Sequence, residues 1–431
     1  MLHVNFNDVV GTIKPMHGVG QPPFQGLNFS MCDYLKDAHI PSARLHDVGG
    51  WFGGNMFVDI PNIFRDFDAD PTDPNSYDFV FTDLLITALI ERGIEPVFRL
   101  GVTIENFWKV KAYRIYPPAD NLKWAQICEG IIRHYTQGWA NGFTYPIRYW
   151  EIWNEPDNDE DPMLNAMWRG TKEQFFELYT VAATYLKEKF PHLKIGGYGS
   201  CGFYTVINHN SRFGNSSDRF AYFIEFLDAF LTHIRQHNAP LDFFTWHSYI
   251  EIPEENVILA SAARKRLDDA GFTHTEHFLN EWNPSPDLKG TMQHAALIAA
   301  HLIALQGSSL AGANFYDARC GMGIYSSMFD CMTCKPLPAY YAFVAFGELY
   351  SRGAQISTRC DIPGVYACGA KGENSCLMIA NTNDAEVSLS PEIFGANRVL
   401  SCRILCEGKL WQQCPLPQIL PAHAVICIFF E

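Results

Sequence analysis

Two glutamates stand where a carboxyl group could do chemistry: Glu155 in WEIWNEPDN and Glu281 in HFLNEWN, each at the end of an apolar run. A carboxyl that follows Trp and Ile and precedes Pro is held rigidly at a partly apolar rim, which favours its protonated form and suits a general acid. Glu281 must stay ionised to act as a nucleophile, so it needs donors, for which Tyr249, His247 and Arg44 are candidates. An unpaired charge at the end of an apolar run would be costly, which argues for such a network. Cleaving a glycosidic bond with retention requires this kind of pair, an acid beside the leaving oxygen and a carboxylate beneath the anomeric carbon, about 5–5.5 Å apart. Asn154, next to Glu155, can donate to a sugar hydroxyl. The competing readings are a Glu155 that caps the following helix and a Glu151 that is a buried structural carboxylate.

The elements that position these residues repeat. The runs GTIKPMHGVG, SARLHD, IEPVFRLG, IRYWEIWNEP, LKIGGYGS, LDFFTWHSY, TEHFLNEWN and AGANFYD read as strands, and segments such as LKWAQICEGIIRHYTQG and KEQFFELYTVAATYLKEKF between them read as helices. Strand then helix, eight times, predicts an α/β fold, a (β/α)8 TIM barrel over 13–345. Chemically capable groups fall at the strand ends: His17; Arg44 with His46 and Asp47; Arg99; Asn154 with Glu155; His247 with Tyr249; Glu281; and Asp317 with Arg319. In a closed barrel such ends converge on one face, and the fourth and seventh strands, which carry the two glutamates, meet across the mouth. Trp282 is counted with Asn154, His46, Asp47, His247, Tyr249, Asp317 and Arg319 as substrate-binding; Arg44 and His17 are expected to support them, and Arg44 and Arg99 to pair with the two carboxylates. Over 346–431 short extended stretches separated by Gly, Asn and Pro predict a C-terminal β-sandwich, joined by an N-terminal strand over 1–12 at its edge.

Composition narrows the partners. A net charge of −15 with no basic run argues against nucleic acid and anionic membrane surfaces. No stretch reaches the roughly 18 apolar residues of a membrane span, and the opening MLHVNFNDVVG lacks the features of a secretory signal, so a cytoplasmic protein is expected. The 13 cysteines show no disulfide spacing and read as reduced thiols; the CMTC pair Cys331 and Cys334 lacks further ligands for zinc. His17, His46 and His247 lack an HExxH-like pattern, and neither a metal nor a cofactor is expected.

The sequence resembles glycoside hydrolase family 39, the β-xylosidase and α-L-iduronidase family of the retaining clan A. Its landmarks occur in order: GVG, RLHD for the family's RxHG, YPPADNLKW for PPxDxxKW, WEIWNEPDN, WHSY for RHAY, LNEWN for TEYN, and the closing KPLPAYYAF. The resemblance implies Glu155 as acid/base, Glu281 as nucleophile, Asn154 on the 2-hydroxyl, and His46, His247 and Tyr249 around the glycone. It also implies a β-sandwich after the barrel. The chain departs from the family pattern at NFYDARCGMG, where Asp317 and Arg319 could recognise a different sugar, and at Asp47 in RLHD. The expected activity is that of a retaining, exo-acting glycosidase without cofactor on a carbohydrate substrate, β-xylosidase first. β-Galactosidase, β-glucosidase or α-L-arabinosidase-type activity is the alternative within the family. An inactive carbohydrate-binding barrel is the rival from another class, and a homo-oligomer is left open.

Overall fold

The computed structural model describes residues 1–23, 30–46, 58–103, 115–207, 217–396 and 398–431. After strand β1 (Leu2–Thr12) come eight strands that close into a parallel barrel in chain order: β2 (Gly18–Gly20), β3 (Ser42–Leu45), β4 (Glu95–Leu100), β5 (Tyr149–Ile152), β6 (Lys194–Ser200), β7 (Phe243–Ser248), β8 (Glu276–Trp282) and β9 (Gly312–Phe315). Each of the eight predicted runs contains one of them. Helices α1 (Cys32–Asp37), α2 (Ile60–Ile63), α3 (Val80–Ile90), α4 (Asn121–Gln137), α5 (Lys172–Lys189), α6 (Ser217–Gln236), α7 (Pro253–Asp269), α8 (Met292–Leu305) and α9 (Pro338–Tyr350) lie between and after the strands. Their local signals are strong. Asp120, from the YPPADNLKW stretch, caps α4 by accepting from Lys123 N, and Thr171 with Gln174 forms a capping box on α5. Among the described residues no helix is long and apolar enough to cross a membrane.

Pleating decides which side chains meet. Trp150, Ile152, Phe244 and Trp246 are buried in the main apolar core with the helices, each such side chain contributing about 1.5–3 kcal/mol by burial, while the intervening Glu151 and Thr245 hydrogen-bond to each other. In β8 the alternation breaks. Trp246 pairs with Leu279 but His247 pairs with Glu281, so Asn280 is an extra residue, a β-bulge. The bulge brings both Asn280 and Glu281 to the inward set: Asn280 donates to Glu151, and Glu281 accepts from Arg44.

The remaining strands, β10 (Ala354–Cys360), β11 (Val365–Lys371), β12 (Ser375–Asn381), β13 (Val387–Ser388), β14 (Pro391–Phe394), β15 (Val399–Cys406), β16 (Lys409–Cys414), β17 (Ile419–Leu420) and β18 (Val425–Phe430), build a sheet of order β14-β1-β10-β11-β12-β18-β15-β16 with a β13-β17 ribbon. Leu377, Ile379, Ile426 and Ile428 face a second core shared with Leu2, Val4 and Leu420 of the ribbon, so the C-terminal region is a further sheet covered on this side by the short ribbon. Alternate residues Cys376, Met378, Val425 and Cys427 join the barrel's core instead, with Cys427 Sγ 3.6 Å from Ala345 O of α9. The N-terminal strand is not the edge that was expected: β14 pairs with it in parallel and covers it. A short strand opening on Pro is a protected edge, and too weak a signal to read in advance.

Candidate active site

The inward residues of β3, β5, β7 and β8 form one hydrogen-bonded block around Arg44. Its guanidinium donates from Nε to Glu151, from Nη1 to Glu281 Oε1 and from Nη2 to Asn154 Oδ1, each at 2.7 Å. Glu151 also accepts from Thr245 Oγ1 (2.6 Å) and Asn280 Nδ2 (2.7 Å), so this carboxylate is a buried anchor for the arginine. Arg44 in turn orients both Glu281 and the Asn154 amide. Paired with two carboxylates and an amide oxygen, the buried cation has the partners it requires.

Glu281 Oε2 accepts from Tyr249 at 2.7 Å. Burial, with the Glu281 charge next, holds the Tyr249 phenol well above its ordinary range, so it remains a neutral donor. His46 Nε2 lies 3.7 Å from Glu281 Oε1. Its Nδ1 accepts from Arg99 Nε at 3.1 Å, which places the ring hydrogen on Nε2, facing the carboxylate. Burial and the charges of Arg44 and Arg99 hold His46 well below the usual range, hence neutral. Arg99 therefore does not pair with either glutamate of the pair: its Nη2 donates to Asp59 Oδ1 at 2.8 Å.

Glu155 sits on a strained turn. Trp153 and Glu155 have φ of 68° and 45°, left-handed values that cost non-glycine residues on the order of 1–2 kcal/mol each. Hydrogen bonds from Trp153 N to Leu100 O (2.8 Å) and from Glu155 N to Gly199 O (2.9 Å) hold the turn between the neighbouring strands. Gly199 has φ of 66°, and a Cβ there would meet Asn154 Oδ1 at 2.9 Å and Arg44 Nη2 and His247 Nε2 at 3.2 Å. The GGYGS run thus supplies the bare backbone against which the site is packed.

His247 links the two glutamates, its Nδ1 2.7 Å from Glu155 Oε1 and 3.5 Å from Glu281 Oε2. One donor atom from each of Glu155, His247 and Glu281 lies within 4.8 Å of the others. Burial lowers the affinity of His247 for a proton, but the Glu281 charge and the Glu155 hydrogen bond outweigh it and the net direction is up. For Glu155 burial acts upward, yet the His247 and Asn158 hydrogen bonds prevail and hold it below the ordinary glutamate range. The apolar rim that was expected to favour the protonated form of Glu155 is thus opposed here by the hydrogen bonds from His247 and Asn158. Asn158 Nδ2, which donates to Glu155 Oε2 at 2.9 Å, went unrecognised in the sequence. These three donors resemble a metal site in composition, but the oxygens of Glu281 already face Arg44 and Tyr249, an arrangement poorly suited to a further cation.

Several expected residues fall elsewhere. Trp282 packs in the helix layer, its ring 5.7 Å from His301 and 5.3 Å from Phe315, because after the bulge the residue following an inward Glu281 points outward. His17 precedes β2 and so lies at the opposite, N-terminal end of the barrel, where its Nε2 is 2.8 Å from His39 O and its ring packs on Phe346 and Tyr350. Burial pushes it down to about 3, a neutral structural histidine. The residue at the functional end of β2 is Gln21, whose Nε2 donates to Tyr316 Oη at 2.6 Å. Nothing in GVGQPP distinguished it. Asp317 Oδ1 accepts from Arg319 N at 2.9 Å, with Oδ2 3.5 Å from Arg319 Nη2, and the Arg319 charge acts on His46. Asp47 lies outside the described residues. Tyr249, Tyr316 and Tyr325 form a wall with ring centres 5.3–6.3 Å apart, of which only Tyr249 was expected.

Asp157 is a buried carboxyl two residues beyond Glu155. Ser200 Oγ donates to it at 2.8 Å and Cys201 N at 3.2 Å, but burial prevails and pushes it up to about 7. The folded state therefore holds a proton that the unfolded chain releases near 3.8, so stability falls as pH rises from about 3.8 to about 7, by roughly 1.4 kcal/mol per pH unit. Asp157→Asn cannot ionise and escapes this loss. In melts at pH 4 and pH 8 the stability of the variant relative to wild type is expected to improve at the higher pH; a constant difference would refute the assignment.

The β-xylosidase of Geobacillus stearothermophilus is 23% identical over 353 residues, 71% of this chain and 64% of that protein, so the chain spans less than two thirds of this relative's length. The β-xylosidase of Caldicellulosiruptor saccharolyticus is 23% identical over 381 residues, 79% of this chain and 69% of that protein. The crystal structure of a glucosidase from Croceicoccus marinus shares the fold with a TM-score of 0.78 at 22% identity, over 100% of this chain and 98% of that one. The sequence profile of Glycosyl hydrolases family 39 matches residues 43–316, well over half of the chain and the whole span from Arg44 to Tyr316, and the chain belongs to that family.

Proposed function

We propose that the chain is a retaining, exo-acting glycosidase that releases a terminal sugar, β-xylose first, with Glu281 as nucleophile and Glu155 as acid/base. The observation that carries this reading is that one oxygen of Glu155 and one of Glu281 lie within 4.8 Å of each other, which favours the roughly 5–5.5 Å spacing of retaining enzymes over the about 6.5–9.5 Å of inverting ones. Glu281 attacks the anomeric carbon while Arg44 and Tyr249 orient its two oxygens. Glu155, when protonated, protonates the leaving oxygen; His247 is the proton donor beside it, and substrate that displaces water from the pair shifts the shared proton onto Glu155. In the second half, Glu155 takes a proton from the attacking water and the glycosyl ester to Glu281 is hydrolysed. Arg44 holds Asn154 Oδ1, so the amide's Nδ2 end is the donor for a 2-hydroxyl.

β-Xylose is supported by the relatives that are β-xylosidases, and exo action by the small exposure of the pair, 15% for the Glu155 side chain and 5% for Glu281. His46, Gln21, Asp317 and Arg319 are the groups through which a different glycone would be chosen. The cysteines are free thiols and mostly buried, in keeping with a reducing, cytoplasmic setting. The test is proton NMR of a p-nitrophenyl β-xyloside digest. The β-anomer of the free sugar is expected first, with α appearing only by mutarotation; α first would overturn retention.

A further inference from the structure

Cys334 of the CMTC stretch has a thiol neighbour, and it is not Cys331. Cys320 Sγ lies 3.7 Å from Cys334 Sγ and 3.4 Å from Asp330 O. The turn that presents Cys334 is tied by its own bonds: Asp330 Oδ1 accepts from Met332 N, Thr333 N and Thr333 Oγ1, and Cys334 N donates to Asp330 O at 2.8 Å. Cys320 is buried at 5% exposure, whereas Cys331 and Cys334 are half-buried. The segment between Cys320 and Cys334 carries Tyr325, which lies against Tyr249, the donor to Glu281. Asp317 N donates to Tyr325 O at 3.0 Å, and Lys289 Nζ to Gly321 O and Gly323 O at 3.1 and 3.0 Å, so the loop is already folded back on the barrel.

We propose that Cys320 and Cys334 form a thiol pair that is converted to a disulfide by exchange with a low-molecular-mass disulfide, stapling the base of the loop that carries Tyr325 beside the active site. The more exposed Cys334 attacks as thiolate, forming a mixed disulfide and releasing one small thiolate. Cys320 then gives its proton to solvent base and displaces the second. One small disulfide bond breaks and one protein disulfide forms, so two protein thiols are oxidised while the small disulfide is reduced to two thiols. Burial pushes Cys320 up to about 12, so the more exposed Cys334 rather than Cys320 initiates the exchange. Bond formation brings the sulfurs from 3.7 Å to about 2.05 Å.

The test is incubation of the full chain with glutathione buffers of graded oxidised-to-reduced ratio, trapping of thiols with N-ethylmaleimide, and non-reducing peptide mass spectrometry. A Cys320–Cys334 cross-link is expected, with Cys331 still alkylated. Cys331→Ser should form the same link, and Cys320→Ser should stop at a Cys334–glutathione adduct. A Cys331–Cys334 link, or all three thiols alkylated in the most oxidising buffer, overturns the pair. KM for an aryl xyloside is expected to shift between reduced and oxidised wild type with kcat held, and not to shift in Cys334→Ser; an unmoved KM overturns the coupling to the site. The thiol readout does not depend on the chain being a glycosidase, so failure of that reading and failure of this one are separable.

Discussion

Glu281→Ala is expected to lower kcat/KM on an aryl β-xyloside by on the order of 10⁵-fold, about 7 kcal/mol of transition-state stabilisation, while the fold persists. Persistence follows from the surroundings. Arg44 keeps Glu151 and Asn154 as partners, so the substitution leaves no unpaired buried cation. It does leave a small space faced by Arg44 Nη1 and Tyr249 Oη, both donors. An added anion of the right size should occupy it, and azide is expected to restore turnover with a glycosyl azide of inverted configuration as product. Product analysis with and without azide, alongside a thermal melt, checks this; a variant with wild-type activity would remove Glu281 from the mechanism.

The second large effect concerns proton transfer. Glu155→Ala is expected to slow substrates with poorly departing aglycones by roughly 10³–10⁴-fold, within the span of general acid–base catalysis, and dinitrophenyl glycosides far less in the bond-breaking step. Azide should here give the retained product, since it attacks the glycosyl ester on Glu281 from the side that Glu155 vacated. The variant also tests the shared proton. In wild type the alkaline limb of kcat/KM reports loss of the proton held between Glu155 and His247, with His247 raised and Glu155 lowered. Removing Glu155 takes away that acid, and the limb should disappear. A leaving-group dependence equal to that of wild type would rule Glu155 out.

Much of this was legible in the chain because the signals are local. The alternation of short apolar runs with capped helices is a period read within ten or twenty residues, and it placed strands at all eight barrel positions. NEP and LNEWN identified Glu155 and Glu281 because a carboxyl that ends an apolar run is costly unless it has work and partners. Arg44, His46, His247 and Tyr249 were found for the same reason, as polar residues at strand ends that the structure gathers around the pair.

The failures share a cause too. His17 missed the site because a strand beginning at Gly18 rather than earlier puts it at the wrong end of the barrel, a shift of a few residues that no periodicity registers. Trp282 missed it because one extra residue, Asn280, resets the pleat of β8, and bulges are set by pairing with the neighbouring strand. Gln21, Asn158, Tyr316 and Tyr325 contribute through partners distant in sequence or through a turn whose shape depends on its neighbours. The location of the proton is the clearest case. Sequence context favoured a protonated Glu155, whereas in the folded site the His247 hydrogen bond draws Glu155 down and the two carboxylates draw His247 up.

By itself, then, the sequence determined the barrel, the carboxylate pair and most of the residues that surround it, since these follow from residue type and spacing along the chain. Which way each side chain points, which groups hydrogen-bond to one another, and which further residues accompany the pair were decided by the tertiary structure, because direction and electrostatics depend on neighbours that only folding brings within a few ångströms.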